Sequence, residues 1–253
     1  MPALVDTLDH GPVRELRLAR APVNALNPDL CRELASAVRS AAADDVRGLV
    51  LSGGPKVFSA GLDVPYLMSL GDDRGALVAA WEAFFDAARA LAATPMPVVA
   101  AIAGHAPAGG CVLALCCDYR VMARGPFTIG LNETRVGLVA PEGIQHLLRR
   151  VVGPHRAERL LVAGDLVDAD TALAIGLVDE LHGVDDVPVR ARAWLEGLLA
   201  LPRRPMLDTR AIARADLVEA LQPERIRLER FVDAWTAPDT QAGLRALMAE
   251  LGK

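Results

Sequence analysis

The sequence is poor in aromatic residues and lysines, and it has no long apolar run. Phe, Trp and Tyr make up only 4% of its 253 residues, and only two residues are lysines. No apolar stretch reaches the roughly 18 residues that a membrane-spanning helix requires, so no membrane partner is predicted. The net charge of −5 does not favour a nucleic-acid partner, because sequence-independent binders normally present a strongly basic face.

Cysteines and histidines are also few, and their spacing excludes two kinds of site. The four cysteines (Cys31, Cys111, Cys116 and Cys117) match neither a zinc site nor the disulfide framework of a small secreted domain. We therefore expect buried, reduced thiols and a cytoplasmic location. None of the five histidines lies at ligand spacing from another histidine or a carboxylate, so no metal site is predicted.

The hydrophobic content of 52% is ample for a sizeable core, as one large domain or one domain with an appendage. Short apolar strands alternate with helices, which is typical of an α/β architecture. Strands are predicted at 13–18, 48–52, 98–103 and 119–123, and helices at about 28–43, 73–92 and 109–116. The first helix has Asn27 at its N-cap and Pro28 at its first position.

The C-terminal part of the chain differs from the rest. Residues 188–253 contain only helical patterns, which are separated by prolines. We predict that residues 1–187 form the α/β core and that residues 188–253 form a helical C-terminal region.

Three loops rich in small residues follow predicted strands. Their sequences are Phe58-Ser59-Ala60-Gly61-Leu62-Asp63, Gly104-His105-Ala106-Pro107-Ala108-Gly109-Gly110 and Ile129-Gly130-Leu131-Asn132-Glu133-Thr134. Glycine-rich turns that lead into a helix can expose backbone N–H groups to an anion. The P-loop, the dinucleotide-binding fingerprint and the serine-hydrolase elbow are absent from the sequence.

Together these loops resemble the signature of the crotonase (enoyl-CoA hydratase/isomerase) superfamily, in the same order and at similar separations. The similarity extends from Pro22-Val23-Asn24-Ala25-Leu26 to Ile175-Gly176-Leu177-Val178-Asp179-Glu180. The segments Pro107-Ala108-Gly109-Gly110-Cys111, Cys117-Asp118-Tyr119-Arg120 and Ile129–Thr134 resemble the mitochondrial-type Δ3,Δ2-enoyl-CoA isomerases. The resemblance implies an acyl-CoA enzyme whose core is a right-handed spiral of ββα turns.

One position separates this sequence from the hydratases of that superfamily. They usually carry a glutamate just after the Gly-Gly-Cys segment, where this chain has Val112, and a second glutamate that corresponds to Glu133. Adding water to a double bond benefits from two carboxylates, whereas moving the double bond needs one carboxylate that shuttles a proton. A glutamate in apolar surroundings has a raised pKa, which suits both steps. The interpretation is therefore a 3-enoyl-CoA to trans-2-enoyl-CoA isomerase of fatty-acid β-oxidation, with Glu133 as base and acid.

The resemblance also implies the remaining site residues. It assigns the two oxyanion-hole N–H groups to Leu62 and Gly109, which would stabilise the negative thioester oxygen. The predicted substrate-binding residues are Ala60, Gly61, Leu62, Asp63, Gly109 and Asn132. Asp63 is also expected to cap the following helix. Glu142 is the second candidate for a carboxylate near the acyl chain.

The resemblance further implies partners and assembly. Coenzyme A enters as part of the acyl-CoA substrate, so no separate cofactor is predicted, and the C-terminal helices are expected to form a homotrimer or a dimer of trimers. Two alternatives stay open. One is hydration or another acyl-CoA conversion. The other is a non-catalytic RNA-binding member, although the scarcity of lysines disfavours it.

Overall fold

The computed structural model describes residues 2–250 and 252. The strands are β1 (Val5–His10), β2 (Val13–Leu18), β3 (Gly48–Ser52), β4 (Val98–Ile102), β5 (Ala106–Pro107), β6 (Tyr119–Ala123), β7 (Thr128–Gly130), β8 (Leu166–Asp168) and β9 (Glu180–His182). The helices of the first part of the chain are α1 (Pro28–Ala43), α2 (Val64–Ser69), α3 (Arg74–Ala93), α4 (Gly109–Leu115), α5 (Glu142–Val152), α6 (Pro154–Ala163) and α7 (Ala169–Ala174). Those of the C-terminal part are α8 (Val187–Leu199), α9 (Arg203–Ala213), α10 (Ala215–Ala220), α11 (Pro223–Ile226), α12 (Leu228–Trp235) and α13 (Pro238–Glu250). In residues 2–250, no helix combines the length and the apolarity needed to traverse a bilayer.

Six strands form one mixed sheet in the order β1-β2-β3-β4-β6-β9. β1 pairs antiparallel with β2, and the later neighbours are parallel. All residues of β3 and β4 are buried, as expected of central parallel strands that are covered on both faces. The strands predicted at 13–18, 48–52 and 119–123 are confirmed with these bounds, and β4 ends one residue before the predicted position.

Helices cover both faces of this sheet. Because successive side chains of a strand point to opposite faces, Leu49 and Leu51 of β3 belong to the large core beneath α1 and α3, which pack against each other. Val50 points to the other face, where α8 covers it with Leu195. The C-terminal region therefore contributes directly to the core of the sheet.

The predicted helix starts of α1 and α3 are confirmed by their caps. The Asn27 side chain accepts a hydrogen bond from the Leu30 N–H at 3.0 Å, directly before Pro28. Asp73 accepts one from the Ala76 N–H at 2.9 Å and starts α3. Each cap satisfies an N–H group that the helix itself leaves without a partner.

A unit of a long strand, a short strand and a helical turn repeats along the chain, and the short strands form a second, smaller layer. β4 is followed by β5 and α4, and β6 is followed by β7 and a 3-10 turn at Glu133–Val136. β5, β7 and β8 form a separate sheet in the order β5-β7-β8, and a Val57–His105 bridge continues this layer to the loop after β3. This repetition is the predicted ββα core. It brings the three small-residue loops to one end of the layer.

The last helices pack against α3. Trp81 of α3 lies 4.3 Å from Phe231 and 6.3 Å from Trp235 of α12, measured between ring centroids. The aromatic residues are few, but several of them are concentrated at this contact. The boundary at residue 188 and the oligomerisation role of residues 188–253 remain predictions.

Candidate active site

A cavity of about 410 Å³ lies where the three small-residue loops meet. Most of its wall is apolar. Its larger apolar side chains are Val23, Leu62, Val64, Trp81, Phe84, Val112, Val136, Leu138, Ile144, Leu166, Phe231 and Leu247. An apolar cavity with a few polar groups is the usual form of a small-molecule site.

Glu133 is the first residue of the 3-10 turn, and it lines this cavity. Its Oε2 atom is buried and has no hydrogen-bond partner among the described residues. Burial raises the pKa of the Glu133 carboxyl from 4.5 to about 7, because the charged form loses its hydration. At neutral pH such a carboxyl can both accept and return a proton.

Val112 belongs to the wall of the same cavity and is completely buried in the first turn of α4. Among the described residues, Glu133 and Asp63 are the two carboxylates that line the cavity. Position 112 therefore provides no carboxylate. Among the described residues, Asp63 is the remaining candidate for a second carboxylate in the cavity.

Both oxygens of Asp63 already have partners. Oδ1 accepts the Tyr66 N–H at 3.1 Å, which makes Asp63 the N-cap of α2 as expected. Oδ2 accepts a hydrogen bond from the Arg20 guanidinium at 2.7 Å, and Arg20 also donates to the Ala25 carbonyl. Asp63 thus ties the first loop to the segment before α1, and Glu133 is left as the cavity carboxyl with an unpaired buried oxygen among the described residues.

The Leu62 N–H is free because of the way the first loop pairs with Leu26. The two residues form a parallel bridge. In it the Leu26 N–H donates to Gly61 O at 2.8 Å, and the Asp63 N–H donates to Leu26 O at 3.2 Å. The Leu62 N–H points away from this pairing, and no group in residues 2–250 accepts it.

The Gly109 N–H is free for a different reason. Gly109 is the first residue of α4, so its N–H has no partner within the helix, and no other described group accepts it. Ala108, before it, has a φ of 46° and a ψ of −119°. Such backbone strain in a residue other than glycine costs about 1–3 kcal/mol and is typical of functional sites. A hydrogen bond of 2.8 Å from the Ala108 N–H to Gly130 O fixes this conformation.

The first and second loops are in direct contact. A Cβ atom added to Gly61, which has a φ of +84°, would lie 3.2 Å from the Gly109 nitrogen. A Cβ atom added to Gly109 would lie 2.9 Å from Leu26 Cδ1 and 3.3 Å from Phe84 Cε2. A side chain at either position would therefore require its neighbours to shift. The two free N–H groups, of Leu62 and Gly109, therefore belong to touching loops that line one cavity.

The structure brings most of the other predicted site residues to the cavity as well. Ala60 and Asn132 line it. The Oδ1 atom of Asn132 is buried without a partner among the described residues, and Asn132 caps no helix through its side chain. Gly61 is buried behind the loop and forms its turn instead of lining the cavity.

The prediction that Glu142 approaches the acyl chain is wrong. Glu142 is exposed at the start of α5 and forms ion pairs with Arg227 at 3.5 Å and Arg230 at 3.4 Å. Its carboxylate lies on the outer surface, where it is hydrated and paired with cations from the C-terminal helices. Glu142 is not among the residues that line the cavity.

Several cavity residues were not predicted from the sequence. Trp81 and Phe84 come from the middle of α3, whereas Phe231 and Leu247 come from α12 and α13. Their helical spacing indicates only that they face the interior. No pattern in the sequence links these helices to the three loops.

Comparisons with known proteins agree with this geometry. A family model described as enoyl-CoA hydratase/isomerase matches residues 10–247. The mouse protein named mitochondrial enoyl-CoA delta isomerase 1 is 36% identical over 252 residues, which cover 98% of this chain and 86% of that protein. A probable enoyl-CoA hydratase, echA17 of Mycolicibacterium paratuberculosis, is 38% identical over 226 residues, which cover 88% of this chain and 86% of the relative.

A solved structure extends the similarity to the fold. The crystal structure of human mitochondrial delta3-delta2-enoyl-CoA isomerase superposes with a TM-score of 0.92 at 30% identity. The match covers 99% of this chain and 98% of the human chain, so it includes the C-terminal helices. It confirms the predicted α/β fold with its ββα core.

Proposed function

Because this chain belongs to the enoyl-CoA hydratase/isomerase family, we propose that it moves the double bond of a 3-enoyl-CoA ester to the trans-2 position. One observation carries the proposal. Glu133 is the carboxylate with a free, buried oxygen in an apolar cavity, and the position at which hydratases usually carry a second glutamate is the buried Val112. A proton shuttle needs no second carboxylate.

The proposed reaction proceeds through a dienolate. The Glu133 carboxylate takes a proton from C2, and the electron pair of the broken C–H bond moves onto the thioester, whose oxygen becomes negative. The N–H groups of Leu62 and Gly109 donate hydrogen bonds to this oxygen. The protonated Glu133 then delivers the proton to C4. The electron pair of the C3–C4 double bond binds this proton, the C2–C3 double bond forms, the thioester carbonyl is restored, and the carboxylate is free for the next turnover.

The raised pKa of Glu133 supports both proton transfers. A pKa of about 7 makes the carboxylate a stronger base than an exposed glutamate, and its protonated form remains acidic enough to return the proton. The apolar wall also leaves little to hold a reactive water molecule. This second feature favours isomerisation over hydration.

Hydration is the second candidate function, because the mycobacterial relative is named a probable hydratase. It would require Glu133 to work without a second free carboxylate, because both oxygens of Asp63 already accept hydrogen bonds. Assays of 3-enoyl-CoA isomerisation and of crotonyl-CoA hydration on the same protein preparation separate the two reactions.

Three further expectations belong to this proposal. Coenzyme A enters with the substrate, and no separate cofactor takes part. The assembly is a homotrimer or a dimer of trimers through residues 188–253. The location is cytoplasmic, which the four buried free thiols support.

The substitution Glu133→Gln tests the proposed function. It keeps the size of the side chain and removes its ability to take a proton. We expect kcat for 3-enoyl-CoA isomerisation to fall at least about a hundredfold, the lower end of what general-base catalysis contributes. The thioester should still bind, as calorimetry with an acyl-CoA can measure.

Glu142→Gln is the matched control, because it makes the same chemical change at an exposed, ion-paired carboxylate outside the cavity. It should keep the turnover of the wild-type protein. Retained turnover in Glu133→Gln would overturn the assignment of the base. Crotonyl-CoA hydration without isomerisation in the wild-type protein would overturn the proposed reaction.

A further inference from the structure

The 3-10 turn that carries Glu133 is fixed on one side by the end of α6. The Thr134 hydroxyl donates to the Leu161 carbonyl at 3.2 Å. The Arg135 guanidinium donates to the Ala163 carbonyl at 3.1 Å. Both anchors hold the middle of the turn, directly after Glu133, against a neighbouring helix.

The C-terminal helix α13 holds the other side of this turn. The hydroxyl of Thr240, a buried residue, donates to the Gly137 carbonyl at 2.7 Å. Gly137 ends the turn in the left-handed region, with a φ of 78°. The Leu138 N–H, one residue further on, donates to Glu133 O at 2.9 Å. The hydrogen bond from Thr240 therefore holds Gly137, which directly precedes the residue that is hydrogen-bonded to the Glu133 backbone.

The backbones of α13 and the turn approach each other closely. A Cβ atom added to Gly243 would lie 2.8 Å from the carbonyl carbon and oxygen of Val136. A Cβ atom added to Gly137 would lie 3.0 Å from Asp239 O. Leu247, one turn further along α13, lines the cavity itself. This contact joins residues about a hundred positions apart in the sequence. Its hydrogen bond runs from the Thr240 hydroxyl to the Gly137 carbonyl.

We propose that Thr240 is a positioning residue, whose hydrogen bond to Gly137 holds the Glu133 carboxylate in the geometry that proton transfer requires. The inference rests on the proposed function, because it assigns to α13 a role in that reaction within the same chain. Thr240 does not line the cavity, and its hydroxyl donates to the Gly137 carbonyl, so its effect on catalysis acts through the backbone of the turn.

The physical argument concerns both geometry and hydration. Without the hydroxyl, the Gly137 carbonyl loses its hydrogen bond. The side-chain hydrogen bonds of Thr134 and Arg135 then anchor the turn from the α6 side only, and α13 contacts it through packing alone. A displacement of about 1 Å at a reacting group can cost on the order of 10²-fold in rate. A turn that loosens also admits water to Glu133, and hydration favours the charged form.

Thr240→Val removes the hydroxyl and keeps the shape of the side chain, and Thr240→Ser restores the hydroxyl. We expect Thr240→Val to lower kcat for 3-enoyl-CoA about tenfold or more, with KM within about twofold of the wild-type value, because the acyl pocket keeps its wall. Thr240→Ser should regain most of the lost kcat. Thr236→Val is the matched control, because the exposed Thr236 hydroxyl donates only to Asp233 O within its own helix turn.

A second readout separates positioning from a merely structural role. Carbon-13 NMR of the glutamate carboxyl carbons follows the titration of Glu133, whose signal disappears in Glu133→Gln. The signal should titrate with a pKa near 7 in the wild-type protein and at a lower pH in Thr240→Val. Cys111 also interacts electrostatically with Glu133, and the charged Asp63 and Arg20 at the same cavity are paired with each other. Burial raises the pKa of the Cys111 thiol, so this thiol stays neutral throughout this titration.

The outcomes are distinct. Wild-type kcat together with an unchanged Glu133 titration in Thr240→Val would overturn the inference. So would an equal loss in Thr240→Ser or in Thr236→Val. If Thr240→Val does not fold, Thr240→Ala makes the same test with a smaller side chain. A wild-type protein without isomerase activity would overturn the proposed function, and the NMR titration would still decide whether Thr240 fixes the environment of Glu133.

Discussion

Val112 in the first turn of α4 and Glu133 in the 3-10 turn line the same cavity. Val112 is a fully buried apolar side chain, and Glu133 is a carboxyl whose buried Oε2 has no partner among the described residues. Burial is therefore the cause of the raised pKa of Glu133, and no neighbouring carboxylate contributes to it. Substitutions that place a charge at position 112 can therefore test how a neighbouring carboxylate affects the pKa of Glu133.

Val112→Glu should raise the apparent pKa of the catalytic group further. Two carboxyls in one apolar cavity do not both ionise readily, so after the pair has lost one proton, the second proton is retained to a higher pH. The pH dependence of kcat/KM for 3-enoyl-CoA measures this shift. Val112→Gln, which has the same size and no charge, should leave the profile near that of the wild type. Identical profiles for the two variants would show that a carboxylate at position 112 does not interact electrostatically with Glu133.

The wild-type pH profile is itself predicted. The base must be ionised in the free enzyme, and its pKa is about 7. We therefore expect kcat/KM to rise tenfold per pH unit on the acidic side and to level off above about pH 7. Initial rates between pH 5 and 9 check this. A profile that is already flat at pH 5 would mean that the base has the pKa of an exposed glutamate, which is incompatible with the buried Oε2.

Local signals explain why much of the fold could be predicted from the sequence. The Asn27-Pro28 pair and Asp73 satisfy helix ends through their own side chains, so a few adjacent residues determine where α1 and α3 begin. The buried strand β3 is a continuous apolar run, as both of its faces are covered. In these elements the local preference and the tertiary contacts agree.

Elements that depend on distant contacts were missed. β5 has two residues and β7 has three, and each forms only because it pairs within the small sheet. Glu142 was misplaced for a related reason. Its distance from the cavity depends on Arg227 and Arg230, which the fold brings to it from the C-terminal helices. The local sequence of a strand or loop does not indicate which distant residues will contact it.

The buried carboxyl should also make stability depend on pH. The folded-state pKa of Glu133, about 7, exceeds the ordinary value of 4.5, so the folded protein holds the proton more tightly than the unfolded chain. Ionisation of this group therefore does not lower the free energy of unfolding below about pH 4.5. The loss of stability grows as the pH rises from 4.5 to 7. Above pH 7 the full cost is about 3 kcal/mol, from 1.36 kcal/mol per pKa unit.

Glu133→Gln should remove this dependence. We expect the variant to be more stable than the wild type at pH 8, by up to about 3 kcal/mol, and the difference to shrink towards pH 5. Urea unfolding at a fixed protein concentration measures the free energy at both values. Glu142→Gln, at an exposed site, supplies the reference for substitutions that remove a surface charge. A variant that is equally destabilised at pH 5 and pH 8 would contradict burial as the cause of the pKa shift.

Gly109→Ala tests the oxyanion site without removing the N–H group. The added Cβ would lie 2.9 Å from Leu26 Cδ1 and 3.3 Å from Phe84 Cε2. Because Leu26 and Phe84 are buried in the core, we expect the second loop to move and its N–H to leave the thioester oxygen. We expect kcat to fall by about 10²–10³-fold, the usual effect of losing one such donor.

Gly197→Ala is the control for that variant, because it makes the same change in the exposed part of α8, where a Cβ atom would meet nothing within 4 Å. Alanine is the better helix former, so this control should be slightly more stable and fully active. Kinetics with 3-enoyl-CoA and thermal unfolding of both variants make the comparison. If Gly109→Ala lost stability but kept its kcat, the added Cβ would not displace the N–H from the thioester oxygen, and this prediction would be contradicted.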